Sequence, residues 1–204
     1  MDFALQGKYI GTPQSNYARH CFGCRMPPDG NLLLAYGYVK LLGDDRGVNI
    51  TENGLYRRVT LTKGEVGDVI KWMHPSANID DILLHFKAKM STDTAHAYYS
   101  LPSNGEEADP AEEKTLGWHS DAVAAVLIQV YGAKDLEIGG IHCVPVGSAG
   151  KTVPLDELPA ASFVQKKRLE PNSIVGLGAR QIHRLYPCSD SEKNLTLAIK
   201  ISEV

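Results

Sequence analysis

The second half of the chain is a succession of short apolar runs, rich in β-branched residues, that glycine and proline turns separate. Runs of this kind are typical of strands in β-sandwiches and jelly rolls rather than of an open parallel sheet. We therefore expect a mainly β fold with flanking helices, whose jelly-roll core lies toward the C terminus. The strand-like runs are AVAAVLIQVYG (122–132), GIHCVPV (140–146), NSIVGL (172–177), RQIHRLY (180–186) and NLTLAIKIS (194–202).

The first half of the chain mixes strand-like and helical patterns. The runs at 31–42, 54–64 and 95–101 are apolar or alternate with period two, which predicts strands. Apolar residues in the stretch 76–90 recur at spacings of four, three and four, which predicts a helix. The polar, proline-containing stretch 102–114 is predicted to be a surface loop.

Length and charge restrict the function only broadly. A chain of 204 residues is long enough for one domain with its own core. We expect a single domain, in which residues 1–94 form an N-terminal elaboration and lid on a core of residues 95–204. The net charge of −3 provides no general attraction to nucleic acid or to an anionic membrane. The absence of a long apolar run and of a signal-peptide pattern predicts an intracellular, cytoplasmic protein.

Two of the four cysteines form a CxxC motif that follows His20. Cys21 and Cys24 are compatible with ordinary thiols in a turn, a structural zinc site or a redox pair. A zinc site would need Cys143 and Cys188 as separate further ligands, and a redox pair normally precedes a helix. The sequence leaves the role of this pair open.

A histidine and a carboxylate, His119 and Asp121, stand two positions apart just before the buried run 122–132. Side chains two apart on a strand point to the same face, so both can bind one ion. His183, which ends a distant apolar run, can supply a third ligand. Two imidazoles and one carboxylate, with the other positions open, are the arrangement of non-haem Fe(II) oxygenases. The HxD motif alone is short and weakly specific, so its order relative to the other features carries the interpretation.

That order is HxD, a buried strand, a lysine, further strands and a second histidine, and it resembles the Fe(II)- and 2-oxoglutarate-dependent oxygenases built on the double-stranded β-helix. The resemblance covers roughly residues 95–202. The run QVYGAKD is similar to the Q-x-x-G-x-K pattern of JmjC-like hydroxylases, including the factor-inhibiting-HIF type. In those enzymes the lysine binds the far carboxylate of 2-oxoglutarate, and Lys134 occupies its position here.

The resemblance implies a cupin-like double-stranded β-helix and a specific set of site residues. It implies that His119, Asp121 and His183 hold Fe(II), and that Lys134 binds 2-oxoglutarate. Further candidates for contact with the co-substrate are Asn194, Thr196 and Tyr99, or Tyr98 in place of Tyr99.

The final strand departs from the AlkB branch of the same superfamily. That branch carries arginines at two positions where this chain has Glu192 and Ala198. The departure makes oxidation of a nucleic-acid base less favoured and strengthens Lys134 as the partner of the anion. Lys193 is a weaker substitute for it.

The resemblance implies a dioxygenase that consumes O2 and 2-oxoglutarate and hydroxylates a peptide side chain, a protein side chain or an amino-acid-like molecule. The alternatives are AlkB-like oxidation of a base, and a metal-binding cupin-like protein or isomerase without oxygenase activity. The acidic loop 102–114 would repel a polyanion, whereas Arg57, Arg58 and Lys63 form a small basic strand. That strand either contacts phosphates or is a solvated edge.

Overall fold

The computed structural model describes residues 23–26, 30–50, 54–101, 118–119, 121–139, 165–179, 181–188 and 193–203. The strand predicted at 140–146, the loop predicted at 102–114 and the side chains of the CxxC motif lie outside this description. Their interpretations therefore stay predictions.

The described residues form helices and strands in a mixed order along the first half, and mainly strands thereafter. The helices are α1 (Leu32–Arg46), α2 (Lys63–Met73) and α3 (Ile79–His85). Among the described residues, no helix has both the length and the apolar character that a membrane crossing requires. The strands are β1 (Gly23–Arg25), β2 (Val48–Asn49), β3 (Tyr56–Thr62), β4 (Ala88–Met90), β5 (Thr94–Ser100), β6 (Ala125–Tyr131), β7 (Lys134–Ile138), β8 (Gln165–Leu169), β9 (Ser173–Leu177), β10 (His183–Pro187) and β11 (Leu195–Glu203).

The strands form two sheets, between which the chain alternates. The larger sheet has the order β1-β9-β6-β11-β5-β3-β2, with β4 paired to β11, and the smaller sheet has the order β10-β7-β8. The chain leaves the larger sheet after β6, returns to it at β9, leaves again for β10 and returns for β11. This winding is that of a double-stranded β-helix, or jelly roll, and it confirms the predicted fold class.

The larger sheet buries a different core on each face. Its outer face packs against the helices through a large apolar cluster that includes Val59, Leu61, Ile128 and Leu197. Its inner face meets the smaller sheet through a much smaller cluster: Leu127, Leu136, Ile138, Leu169, Val175 and Leu177. Most of the apolar burial therefore lies outside the β-helix, and polar side chains occupy much of its inner face.

The run 31–42, predicted as a strand, belongs instead to α1. Asn31 begins the helix, and its side chain accepts a hydrogen bond from the Leu34 N–H at 3.2 Å. The buried residues of the helix recur at helical spacing along its sheet-facing side: Ala35, Tyr36, Val39 and Gly43. A continuous apolar run does not distinguish a buried strand from a helix, which is why the strand prediction was wrong here.

The helical region after β3 also differs from the prediction. The helix predicted over 76–90 is shorter, because the chain turns at Lys87, which has a φ of 52°, and continues as β4. Helix α2, which the apolar pattern did not predict, begins with a capping box. The Glu65 N–H donates to Thr62 Oγ1 at 3.3 Å, and the Thr62 N–H donates to Glu65 Oε2 at 2.8 Å.

The other strand predictions that fall on described residues are confirmed, and most of their boundaries agree within one or two residues. The run at 54–64 contains β3, and the run at 95–101 corresponds to β5. The C-terminal runs at 172–177, 180–186 and 194–202 correspond to β9, β10 and β11. Strands β2 and β3 extend the larger sheet beyond β5, so the described part of the first 94 residues shares this sheet with the C-terminal half.

Two glycines of α1 test how this helix packs on the sheet. A Cβ at Gly43 would lie 2.7 Å from Cε1 of the buried Tyr99 ring. We expect Gly43→Ala to lower the free energy of unfolding by about 1–3 kcal/mol, as overpacking does. A Cβ at the exposed Gly37 would meet no atom within 4 Å, so Gly37→Ala should raise that free energy by about 0.5–1 kcal/mol. Urea unfolding of both variants measures the difference, and equal stabilities would contradict this docking of α1.

Candidate metal centre

The three side chains predicted as metal ligands lie together on the inner face. One atom each from His119, Asp121 and His183 lies within 4.8 Å of the other two. His183 Nε2 is 3.8 Å from Asp121 Oδ2, and the two imidazole rings have centroids 4.3 Å apart. Because metal–ligand bonds to such atoms are about 2 Å long, small side-chain movements are enough for all three to hold one ion.

Backbone hydrogen bonds bring the two histidines together. The His119 N–H donates to the His183 carbonyl at 3.0 Å, and the His183 N–H donates to the His119 carbonyl at 2.8 Å. His183 also pairs with Ile138, so the bridge adds His119 to the edge of the smaller sheet. The HxD motif therefore does not begin the buried strand β6, as the sequence suggested. Asp121 lies outside any strand, and the chain crosses to the larger sheet before Ala125.

The neighbours of the two histidines in the chain form a second connection on the outer side of the smaller sheet. The Arg184 guanidinium lies 4.8 Å from the centre of the Trp118 ring, which is a cation–π distance. Arg184 Nε also donates to Glu137 Oε2 at 2.6 Å, and the Tyr186 hydroxyl donates to Glu137 Oε1 at 2.7 Å. These contacts hold the segment of His119 against β10 and β7.

His183 has the tautomer that a metal ligand requires. Its Nδ1 lies 2.8 Å from the Gln181 carbonyl and donates to it, which leaves the lone pair of Nε2 on the side of Asp121. Burial, with His119 as a further cause, lowers the pKa of His183 well below its usual value. The imidazole is therefore neutral at neutral pH, which is the form that binds metals.

Lys134 is buried on the same inner face, at the start of β7. Its ammonium donates to the Tyr56 hydroxyl at 2.6 Å and lies 4.7 Å from the centre of that ring. No carboxylate of a described residue lies within ion-pair distance of it. Burial lowers the pKa of Lys134 to about 7. The neighbouring Asp135, its simplest alternative partner, instead pairs with Lys166 at 2.9 Å.

The position of Lys134 relative to the three-ligand group follows from the strand register. Lys134 and Ile138 both point inward from β7, and Ile138 pairs with His183. Four residues of strand span about 13 Å at ~3.3 Å per residue. The ammonium and the ligand group thus lie at opposite ends of one stretch of the inner face.

Asn194 adds an unusual polar group beside Lys134. Its side chain is fully buried, and neither its amide nitrogen nor its amide oxygen has a hydrogen-bond partner among the described residues. The Ser100 N–H donates to the Asn194 carbonyl at 3.0 Å, and Ser100 pairs with Tyr56. Asn194 therefore belongs to the same row of the inner face as the contact between Tyr56 and Lys134. A buried amide with no partner is costly, and a polar ligand would satisfy it.

The structure places the other two candidates differently. The Thr196 hydroxyl points inward but already donates to Gln129 Oε1 at 2.7 Å. Tyr99 faces the helices, where its ring meets that of Tyr36 edge-on at 6.5 Å. The structure thus does not bring Tyr99 together with the other site residues, because alternation along β5 turns Tyr98 inward instead.

Sequence reasoning missed Tyr56, which is the direct partner of Lys134. The period-two alternation in YRRVTLT already placed Tyr56, Arg58 and Thr60 on one face. That signal does not say which face of the strand looks inward. Tyr56 also precedes Lys134 by 78 positions, and no local pattern connects two residues so far apart.

Comparisons with known proteins support the fold. No family model and no curated protein matches the chain. The non-haem α-ketoglutarate-dependent epimerase SnoN from nogalamycin biosynthesis superposes with a TM-score of 0.61 at 14% identity, over 92% of this chain and 80% of that one. Its complex with Fe3+, α-ketoglutarate and nogalamycin RO gives a TM-score of 0.59 at 13% identity, over 92% and 81%. At identities this low, these superpositions show a shared fold and nothing further.

A second protein matches a smaller part of the chain. YcfD, a ribosomal oxygenase from Escherichia coli, in complex with cobalt and 2-oxoglutarate, has a TM-score of 0.36 at 16% identity over 54% of this chain. The chain spans only 23% of the length of that protein. The JmjC-like branch suggested by the sequence finds no specific support in these comparisons.

The ligand group makes a direct prediction about metal binding. His183→Ala should weaken Fe(II) binding about ten- to a hundredfold or more, because it removes a ligand together with the hydrogen bond that orients it. His85→Ala, which removes an exposed imidazole on α3, is the matched control and should bind as the unmodified protein does. Anaerobic equilibrium dialysis measures both, and unchanged affinity in His183→Ala would remove this residue from the centre.

Proposed function

We propose that the protein is an Fe(II)- and 2-oxoglutarate-dependent dioxygenase that hydroxylates an organic substrate. The observation that carries the proposal is the buried ammonium of Lys134, which has no carboxylate partner among the described residues and faces the same interior as the three-ligand group. An unpaired buried charge costs several kcal/mol, on the order of the penalties measured for such groups. Retaining it makes physical sense when an anion binds there.

The metal would be held by His119, Asp121 and His183. Two imidazole nitrogens and one carboxylate oxygen are the ligand set that leaves coordination positions open for a co-substrate and for O2. When bound, the ion and 2-oxoglutarate supply an oxidation in which O2 converts 2-oxoglutarate to succinate and CO2 and a C–H bond of the substrate becomes C–OH. The protein contributes the orientation of these groups.

The co-substrate would lie between the metal and Lys134. A dicarboxylate can meet the ion at one end and the ammonium at the other. The register of β7 suits this arrangement, because Ile138, which pairs with His183, lies four residues after Lys134. We assign two further groups to this site. Tyr56 accepts a hydrogen bond from the Lys134 ammonium, and the side-chain amide of Asn194 has no hydrogen-bond partner among the described residues. Thr196 would act through Gln129, and Tyr56 replaces Tyr99 in the assignment, because Tyr99 faces the helices.

Two observations weigh against the alternative functions. A metal-binding protein or isomerase without 2-oxoglutarate would have no use for a buried, unpaired lysine at this position. An AlkB-like anion site would need an arginine at position 198 of β11, where this chain has the uncharged Ala198. Of the basic strand considered for nucleic acid, Arg57 lies 3.4 Å from Asp44 and Lys63 lies 2.8 Å from Asp80, so both are already paired.

Substitution of Lys134 tests the proposal directly. The unmodified protein with Fe(II) should bind 2-oxoglutarate and, on admission of O2, form succinate. Lys134→Met should weaken 2-oxoglutarate binding by about thirtyfold to several thousandfold, since losing one partner of a desolvated charge pair costs about 2–5 kcal/mol. It should leave Fe(II) affinity unchanged and raise the free energy of unfolding, because it removes an unpaired buried charge.

The matched control for this experiment is Lys166→Met, which changes an exposed lysine on the outer side of the smaller sheet. It should alter neither metal nor 2-oxoglutarate binding. If Lys134→Met still bound 2-oxoglutarate tightly, the carboxylate would bind elsewhere in the protein. If the unmodified protein did not bind 2-oxoglutarate, the proposed activity would be contradicted, and metal binding alone would remain.

The titration of Lys134 predicts a pH dependence of 2-oxoglutarate binding. Burial lowers its pKa to about 7 from the usual 10.5, so above pH 7 the unliganded protein has lost this proton. A bound carboxylate would raise the pKa again, so binding above pH 7 requires proton uptake. The apparent affinity should therefore be highest below about pH 7 and fall by up to about tenfold per pH unit as pH rises from there to about 9.

The control for this pH dependence is Lys134→Arg, whose guanidinium keeps its charge throughout the range. Its affinity should be lower than that of the unmodified protein but constant with pH. Calorimetric titrations in buffers of different ionisation enthalpy would detect the proton uptake. If the unmodified protein bound 2-oxoglutarate with the same affinity at pH 7 and pH 9, Lys134 would not be neutral in the unliganded protein at the higher pH.

A further inference from the structure

We propose that the substrate of this centre is a small organic anion, whose carboxylate or phosphate group binds Arg58 and Lys200 on either side of His96. The proposal rests on the function proposed above and identifies the class of substrate that the same site would accept. It concerns the rows of the inner face that follow the contact between Lys134 and Tyr56, from Arg58 past His96 to Lys200.

The strand registers place these residues on one face. Arg58 pairs with Tyr98, whose ring stacks on that of Tyr56 at 6.3 Å, so the row of Arg58 follows the row of the Lys134 contact. The next row contains His96, which pairs with both Thr60 and Ala198. Lys200 lies two positions beyond Ala198 on β11 and so points to the same side.

Electrostatic interactions connect these side chains in space. The pKa of His96 is lowered by burial, with further contributions from Arg58 and Lys200, so both cations lie close enough to act on this imidazole. Asp121 raises the pKa of both His96 and Tyr98, whereas Arg58 lowers the pKa of both. Asp121, a candidate metal ligand, therefore lies near the same residues as Arg58. When Asp121 binds a metal, its charge is neutralised there, and the two cations remain.

Neither cation has a carboxylate partner among the described residues. Arg58 is exposed and lies close enough to Tyr98 to counteract the rise in the pKa of that hydroxyl, and Lys200 is exposed at the end of the row. His96 is half-buried, and its Nδ1 lies 3.4 Å from the Thr60 hydroxyl, so the imidazole has a defined orientation. Two unpaired cations beside an ordered imidazole can bind one anionic group with charge-assisted hydrogen bonds.

The same arrangement favours a small anion over a polyanion such as nucleic acid. Arg57, the neighbour of Arg58 on β3, points to the other face and pairs with Asp44. Lys63, which continues the basic run, pairs with Asp80, and the chain as a whole has a net charge of −3. Along the basic run that begins on β3, Arg58 is thus the only cation without an ion pair among the described residues, and a row of phosphates would find no further partners along this strand.

The position of the anion also restricts where the reaction takes place. Tyr56, Tyr98 and His96 form a continuous aromatic surface, with neighbouring rings 6.3 Å and 6.2 Å apart, along the stretch from Lys134 to the cations. A substrate held by Arg58 and Lys200 would lie against the His96 and Tyr98 part of this surface. Its C–H bonds next to the anionic group would then face the group of Asp121.

The test uses the protein loaded with Zn(II) and 2-oxoglutarate, so that the co-substrate site is filled and no turnover occurs. Calorimetric titration would compare benzoate and phenyl phosphate with the neutral analogue benzamide. Both anions should bind more tightly than benzamide. Arg58→Gln and Lys200→Gln should each weaken anion binding by about ten- to a hundredfold, the range expected for loss of a hydrogen bond to a charged group.

The matched control is Arg57→Gln, in which the adjacent arginine of the opposite face is changed and anion binding should stay the same. The affinity of each variant for 2-oxoglutarate is measured separately and should be unchanged. Equal binding of benzoate and benzamide, or unchanged anion binding in Arg58→Gln and Lys200→Gln, would overturn this inference while leaving the proposed function intact. Failure of the unmodified protein to bind 2-oxoglutarate would overturn the proposed function, and this inference with it.

Discussion

The inner face of the β-helix depends on one interaction, the burial of the Lys134 ammonium against Tyr56, with no carboxylate of the described residues beside it. Such a group opposes folding, because desolvation favours the neutral amine and lowers the pKa of Lys134 to about 7. The fold must therefore obtain its stability elsewhere. It does so on the other side of the larger sheet, where the helices and the outer face of the sheet form the main apolar cluster. The outer face stabilises the fold, and the inner face is free to carry costly polar groups.

Side chains alternate between the two faces of a strand, so one of two adjacent residues can belong to the inner face and the other to the outer face. Arg57 pairs with Asp44 near α1, whereas Arg58 faces inward beside Tyr98. His183 belongs to the ligand group, whereas Arg184 stacks on Trp118 on the outer side. A one-residue shift of register would exchange every such pair. The paired strands and the backbone bridge between the two histidines therefore matter to the chemistry as much as the identities of the side chains do.

Much of the fold was predictable because its strands are short, apolar and separated by turn residues. The errors fall where the local signal has two meanings. The apolar run of α1 suits a buried strand as well as a helix, and only its cap and its contact with the sheet distinguish them. The helix predicted over 76–90 ends early because the chain turns at Lys87 to let β4 pair with β11, and that pairing is a tertiary contact.

By itself, the sequence determined which residues are candidates for the site: an HxD pair, a later histidine and a lysine can be recognised without knowledge of the fold. The tertiary structure decided where these residues meet and which others join them. It brought His119 to His183 across a backbone bridge, turned Tyr98 inward and Tyr99 outward, and placed Tyr56 on Lys134. The physical reason is that period-two alternation identifies residues that share a face of a strand. Which face looks inward is decided only when the strands pair and the two sheets close on each other.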